Sequence, residues 1–354
     1  MSEPFIAQLQ ERIAAATAAR TPQRLRGGGT KDFYGGAPAG DVVDMAAYAG
    51  IVAYEPRELV LTVRAGTRVA DVEAALAAER QMLPFEPPDF GSTGASTIGG
   101  VVATGLSGPR RPYAGAVRDF VLGTRVVNGK GEDLSFGGRV IKNVAGYDVS
   151  RLMTGAMGTL GAITEVSFKV LPLPPSETTL AFESGEAEAT ALVNAWAGKP
   201  LPVSATAWQD NVLRVRLAGA QTAVDAARAK LGGEEFAAGR EYWRDLRDHR
   251  LAFFSASRPL WRISVAQTAA PLDLGAAPLV EWGGGVRWLS AELDPERVRA
   301  AAEAAGGHAT LFRGGDKSQG VFHPLKPALM KVHRRLKAAF DPAGILNPGR
   351  MYDF

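Results

Sequence analysis

Apolar positions recur along the chain at two different periods, and the change between them divides it. Ile6, Leu9 and Ile13 fall on one face of a segment whose Pro4 sits in the first turn, which predicts a helix over residues 4–20. Short branched runs at residues 24–26, 42–45 and 59–63 read as strands. Val69, Val72 and Leu76 return to helical spacing, with Thr67 as the expected N-cap. Phe120–Val127 is an expected strand, and Asn128-Gly129 is a hairpin signal into residues 132–136. A short helix at 149–153 and an alternating strand at 162–171 follow.

Leu171-Pro172-Leu173-Pro174-Pro175 then interrupts the pattern, since proline breaks ladder pairing and stiffens connections. Beyond it the order changes. Strands are expected at 179–183, 203–208, 212–217, 260–267, 279–289 and 308–313, with helices at 186–197, 222–231 and 294–305. That order predicts an antiparallel sheet with helices on one face, an α+β layer. A last helix, 324–340, is rich in Lys and Arg. The expected division is residues 1–174, a smaller layer over 175–325, and a return of 326–354 to the first part.

Between these elements lie three loops of small residues: Arg26-Gly27-Gly28-Gly29-Thr30-Lys31, the stretch 95–123 with six glycines, and Gly155 to Gly161. Glycine has no Cβ to hold a ligand away, so such loops bring amides close to an anion. Their spread over one half of the chain points to one long phosphate-bearing cofactor. A dinucleotide-binding G-x-G-x-x-G between strand and helix is absent, and so is a P-loop ending in Gly-Lys-Ser/Thr. Gly155–Gly161 follows a helix and precedes a strand, the reverse of the dinucleotide order.

Composition narrows the classes. The 354 residues are 46% hydrophobic with a formal net charge of +3, and no dense basic run with interleaved aromatics points to nucleic acid. There is no cysteine, hence no disulfide, no cysteinyl cluster and no cysteinyl-flavin bond. The first twenty residues lack a signal peptide's apolar core, and no run approaches the ~18 apolar residues of a membrane span. A cytoplasmic protein is expected. The four histidines, His249, His308, His323 and His333, are not paired at metal-ligand spacing, so no metal is expected.

Five segments in one order, Arg26–Thr30, Thr97–Gly100, Asp119–Gly123, Gly158–Ile163 and Asp341–Arg350, resemble the FAD-binding domain of the vanillyl-alcohol oxidase and p-cresol methylhydroxylase superfamily. Lys31–Gly35, Gly105–Arg111, Lys142–Asp148 and Leu152–Gly155 resemble one branch of it, the smaller FAD-binding subunits of bacterial glycolate oxidases. The resemblance implies an α+β fold with a two-part FAD-binding domain of the p-cresol methylhydroxylase (PCMH) type and a smaller cap with an antiparallel sheet. It implies that Arg26, Gly27, Gly28, Gly29, Thr30 and Lys31, with Ser96, Thr97, Ile98, Gly99 and Gly100, surround the phosphates. Ala103, Thr104 and Gly108 would lie near the ribityl and ring, and Gly158, Thr159, Gly161 and Ile163 on the adenosine side. Residues 24–40 contain no histidine, so FAD is expected to be non-covalent.

A flavin that oxidises a 2-hydroxy acid needs a cation for the carboxylate and a base for the hydroxyl proton. Arg313 or Lys317 is the candidate clamp and His323 the candidate base, on a loop expected near the flavin ring. The tryptophans 208, 243, 261, 282 and 288 are expected in the core or an interface, not around substrate. The resemblance implies oxidation of glycolate to glyoxylate with electrons passed to an iron–sulfur subunit, beside a larger FAD-containing subunit, and any membrane contact through those partners. A self-sufficient FAD oxidoreductase and a flavin scaffold without its own substrate site remain open alternatives.

Overall fold

The computed structural model describes residues 4–91, 94–138, 148–255 and 257–353. The Lys142–Tyr147 part of the family-like segments lies outside them. Two separate sheets account for the two rhythms in the sequence. The first has five antiparallel strands in the order Ile51–Glu55, Val60–Arg64, Ala162–Lys169, Val121–Val127, Asp133–Gly137. Its core is the packing of Leu61, Val63, Val126, Val166 and Phe168 against helices Val69–Ala78 and Ile98–Thr104. Beside it, Gln23–Arg26 pairs in parallel with Asp41–Asp44, under the N-terminal helix Pro4–Ala19.

The second sheet has eight antiparallel strands, and its order shows how the chain folds back on itself: Glu234–Glu235, Ser176–Glu183, Val212–Gly219, Val203–Gln209, Pro278–Glu281, Val286–Ser290, Leu260–Ser264, His308–Arg313. Successive side chains of a strand point to opposite faces. One face buries Leu213, Val215 and Leu217 under helices Glu186–Ala197 and Gln221–Leu231, and Trp261, Ile263 and Leu311 under helix Pro295–Ala304. The other face carries Ala205, Ala207, Trp288 and Phe312, which pack on helix Gly239–Arg247 and on Phe90, Phe33 and Tyr34 of the first part. The same face carries Arg214 and Arg216, paired in register with Ala207 and Ala205, and Arg262, paired with Trp288.

The chain then returns. Helix Pro327–Phe340 buries Lys337, whose Nζ donates to Asp341 Oδ2 at 2.7 Å, Thr159 O at 2.8 Å and Leu346 O at 2.9 Å. Gln23 N donates to Ile345 O, and Asn347 N to Gln23 O, so the tail extends the small parallel pair.

Several sequence expectations need correction. Residues 279–289 are not one strand: the chain turns through a 3₁₀ helix at Trp282–Gly284, with Gly283 at φ +67° and Gly284 at φ +95°. The strand expected at 260–267 ends at Ser264. Thr67 is not the N-cap of the second helix; Arg68 holds that position without a side-chain cap, and the Thr67 hydroxyl donates to Arg64 O at 2.7 Å. Strand Ile51–Glu55 and helices Ile98–Thr104 and Gly239–Arg247 were not expected. The last of these is dominated by Arg, Asp and Glu, and only Tyr242, Trp243 and Leu246 mark its buried face.

Candidate functional site

The parallel pair, the helix Ile98–Thr104 and the turn at 157–163 border a groove. Arg26, Gly27, Gly28, Gly29, Thr30 and Lys31 line it, with Thr97, Gly99, Gly100, Ala103, Thr104, Gly158, Gly161 and Ile163. Four expected residues do not. Ser96 sits behind the wall and accepts from Lys31 Nζ at 2.5 Å. Ile98 is fully buried in the core beneath the helix. Thr159 turns its hydroxyl to Ala156 O at 2.7 Å. Gly108 lines a different cavity, described below.

The first glycine loop has an unusual backbone. Among the described residues, none of the five amides from Gly27 to Lys31 donates a hydrogen bond to protein. A run of free amides forms a concavity that suits an anion, and buried amides without partners are costly. Lys31 adds the cation. Its ammonium is buried, and burial pulls its pKa down to about 8 against the opposing pull of Asp89 and Asp248. Arg24 and Arg26 flank the loop but are engaged with Asp32, at 2.6 and 3.2 Å.

The glycines differ in what they make room for. A Cβ on Gly28 would lie 1.6 Å from Ala95 O, and one on Gly27 2.2 Å from Thr97 Oγ1. At these two positions glycine allows one loop to pack on the next. At Gly100 a Cβ would meet only Thr97 Oγ1, at 3.3 Å, so the space there belongs to the groove.

The structure adds wall residues that the glycine pattern did not mark: Arg24, Leu25, Asp32, Pro38, Met45, Ala65, Met157, Ala162, Asn347 and Arg350. Asn347 bridges two loops, accepting from Leu25 N at 2.8 Å and donating to Met157 O at 2.7 Å. Arg350 donates to the carbonyls of Asp32 and Tyr34, at 3.1 and 2.5 Å. The Asn347-Pro348-Gly349-Arg350 turn was the available signal for both. Among the described residues, no histidine lines the groove.

Thr104 lines the groove and also a second cavity, which lies between the two sheets. Its walls include Tyr34, Gly108, Arg111, His249, Arg262, Glu281, Trp282, Trp288 and His308. Trp288 lies in the core cluster with Trp282 packed against it, and the 3₁₀ turn and the strand after it also bring both to the cavity wall. Glu281 is buried and accepts from Trp288 Nε1 at 2.6 Å. Burial pushes its carboxyl up to about 7, against the hydrogen bond from Trp288 and the charge of Arg262. The His249 ring stacks on Phe254 at 3.9 Å, and burial with the nearby Arg313 and Arg262 holds its pKa well below 6.5. Its Nδ1 has no partner among the described residues.

The residues singled out for substrate lie elsewhere. Arg313 Nη2 donates to Phe254 O at 2.5 Å, and Lys317 Nζ is held by the carbonyls of Phe33 and Gly35 at 2.6 and 2.8 Å. His323 pairs through Nε2 with Glu303 at 2.9 Å. None of the three lines either cavity.

Comparison with known proteins fits this geometry. Residues 6–137 match the family model for the FAD binding domain, and residues 314–351 that for the C-terminal domain of FAD linked oxidases. The chain is 47% identical over 97% of its length, and 96% of the relative's, to glycolate oxidase subunit GlcE of Escherichia coli (strain K12). The chain belongs to the GlcE family. It is an FAD-dependent oxidoreductase chain, and its cofactor is FAD. Glycolate oxidase subunit GlcD of Bacillus subtilis (strain 168) is 35% identical over 52% of the chain and 40% of its own length. Among solved structures, 4-ethylphenol oxidase from Gulosibacter chungangensis aligns with TM-score 0.70 at 16% identity, over 98% of this chain and 87% of that one. A p-cresol methylhydroxylase aligns with TM-score 0.67 at 18% identity and the same coverage. The fold is thus of the PCMH type, α+β with antiparallel sheets.

Proposed function

We propose that this chain is the FAD-binding subunit of a glycolate-oxidising complex, with the groove as its flavin site. In this reading glycolate becomes glyoxylate, and electrons pass to companion subunits, one a larger flavoprotein of the GlcD kind and one carrying iron–sulfur clusters. The observation that carries the flavin site is the run of unpartnered amides from Gly27 to Lys31 beside the Lys31 ammonium. It would hold the pyrophosphate, with Thr97, Gly99 and Gly100 on the facing wall and Gly158, Gly161 and Ile163 toward the adenosine. Bound FAD supplies a two-electron acceptor. Thr104, shared by both cavities, would stand where the flavin ring meets substrate. The chain has no cysteine, and among the described residues no histidine lines the groove, which favours non-covalent binding.

Gly100→Ala tests the site cleanly. The methyl group would touch Thr97 Oγ1 at 3.3 Å, a contact the hydroxyl can relieve by a shift of a few tenths of an ångström, so thermal stability of the FAD-free chain should change by no more than about 1 kcal/mol. FAD affinity should fall by about tenfold or more if phosphate occupies that space. Unchanged FAD content in a folded Gly100→Ala chain would remove the pyrophosphate from this wall. Gly28→Val cannot decide the matter, because the Ala95 carbonyl already fills the position.

A further inference from the structure

The cavity between the sheets holds two guanidiniums without a hydrogen-bond or ion-pair partner among the described residues, Arg262 in the field of Glu281 and Arg111 in that of Asp119. Arg262 is half-buried on the strand Leu260–Ser264, and Arg111 is exposed at the cavity mouth. Neither makes a hydrogen bond or ion pair through its side chain with a described residue. Both lie over the ring of Trp282, with guanidinium carbons 4.5 Å and 4.8 Å from its centroid for Arg111 and Arg262. An aromatic face orients a guanidinium but leaves its N–H fork free, and that fork matches a carboxylate. On the same sheet face Arg216 is paired with Glu86 at 2.9 Å, whereas Arg214 lies over the rings of Phe236 and Tyr242, away from this cavity's lining. The two unpaired forks therefore call for an anion from outside the chain.

We propose that this cavity is a small-carboxylate site belonging to this chain, with Arg111 and Arg262 as its anion clamp and Glu281 as the counter-charge that makes it prefer a monocarboxylate to a dicarboxylate. The proposal rests on the reading of the groove as the flavin site, because Thr104 joins the two cavities. Charge arithmetic gives the selectivity. With Glu281 ionised, the three groups sum to one positive charge, which one carboxylate neutralises. With Glu281 neutral, they sum to two, which suits a dianion. Glu281 titrates near 7, so the balance changes within an accessible range. The groups facing it are Arg262 and Glu86, the Trp288 N–H, and Tyr242 of helix Gly239–Arg247, whose phenol burial holds far above neutrality. Burial, with Arg262 nearby, holds His308 below 6.5, and burial with Arg313 and Arg262 holds His249 well below it.

The test uses the full-length chain with FAD bound. Glycolate and oxalate are titrated by calorimetry between about pH 6 and 8, where both anions are fully ionised. The fluorescence of Trp282 and Trp288 is followed in parallel. Glycolate should bind, and Arg262→Gln and the exposed Arg111→Gln should each weaken it about tenfold or more. The oxalate-to-glycolate affinity ratio should fall as pH rises through 7. In Glu281→Gln that ratio should be high and independent of pH. Absence of binding to the FAD-loaded chain, equal binding in both arginine variants, or an unchanged ratio in Glu281→Gln would each overturn the proposal. The visible flavin band reports separately on the groove: a chain that holds FAD but binds no carboxylate sinks the anion site alone, and a chain that cannot hold FAD sinks the flavin reading.

Discussion

Lys31 shows at the scale of one residue how a site can cost stability. Its ammonium is buried in the groove wall, and its pKa is drawn down to about 8 from 10.5 in the open chain. Between those values the unfolded chain binds the proton and the folded one does not, so stability of the FAD-free protein should rise with pH in that window. Phosphate reverses the preference, since it favours the charged ammonium. FAD affinity should therefore weaken as pH rises through about 8. Lys31→Met should stabilise the FAD-free chain, lower FAD affinity about tenfold or more, and abolish the pH dependence. Thermal melts with and without FAD, taken at several pH values, measure all three. A Lys31→Met chain that loses stability and keeps FAD would show a purely structural lysine. Residue-scale features of this kind were partly legible in the sequence. Gly27–Lys31 announce themselves because glycine runs are rare outside close backbone approaches. Arg262 and Glu281 did not, because each sits in an ordinary strand and acquires its role only when Trp282 and the first part of the chain close over it.

At the scale of elements, the two sheets are joined by charge as much as by apolar packing. Glu86, on the loop before the second glycine stretch, takes Arg216 of the strand Val212–Gly219 at 2.9 Å and Arg110 at 3.2 Å. Glu177 completes the cluster, 3.3 Å from Arg110. Burial pushes the Glu86 carboxyl up, yet Arg216 and Arg110 outweigh it and hold it below its usual value. Removing one partner of a buried pair leaves a charge unpaired, which costs about 3–5 kcal/mol. Arg216→Met should cost less than that in denaturant unfolding, because Arg110 still pairs with Glu86, and Glu86→Gln with Arg216→Met together should cost less than the sum of the two. Additive losses would mean the cluster does not act as a unit. Because Glu86 is ionised in the fold and its pKa is depressed, this contribution should fade as pH falls through the carboxylate range. Strand periodicity revealed most strands of both sheets, but not which strands of the second face the first. That depends on partners such as Glu86 and Arg216, 130 residues apart in the chain. Helix Ile98–Thr104 was hidden for a different reason: its Gly99 and Gly100 are poor helix formers, tolerated because Thr97 caps the end and accepts from Gly100 N at 3.3 Å.

The whole molecule poses the question of where electrons go. A flavin reduced by two electrons has to be reoxidised before it can turn over again. The chain has no cysteine to hold an iron–sulfur cluster, and among the described residues no three His, Asp or Glu side chains gather as metal ligands. No described helix is long and apolar enough to cross a membrane and meet a quinone there. Oxygen reoxidises some flavins directly, so these facts do not force a partner, but the GlcE family membership favours one. The anion site and the electron exit then become separable. The chain alone should bind glycolate in the cavity between its sheets, yet reduce an artificial acceptor slowly per flavin. Addition of a GlcD-like subunit and an iron–sulfur subunit should restore turnover without changing the affinity for glycolate measured by calorimetry. Rapid mixing of the isolated chain with glycolate distinguishes the remaining cases. Bleaching of the flavin band at the rate of the complex's turnover would place oxidation in this chain and reoxidation in its partners. Slow bleaching with tight binding would assign oxidation to the larger subunit and leave this cavity as an anion site coupled to it. An isolated chain that matched the complex in turnover per flavin would instead make it a self-sufficient oxidoreductase.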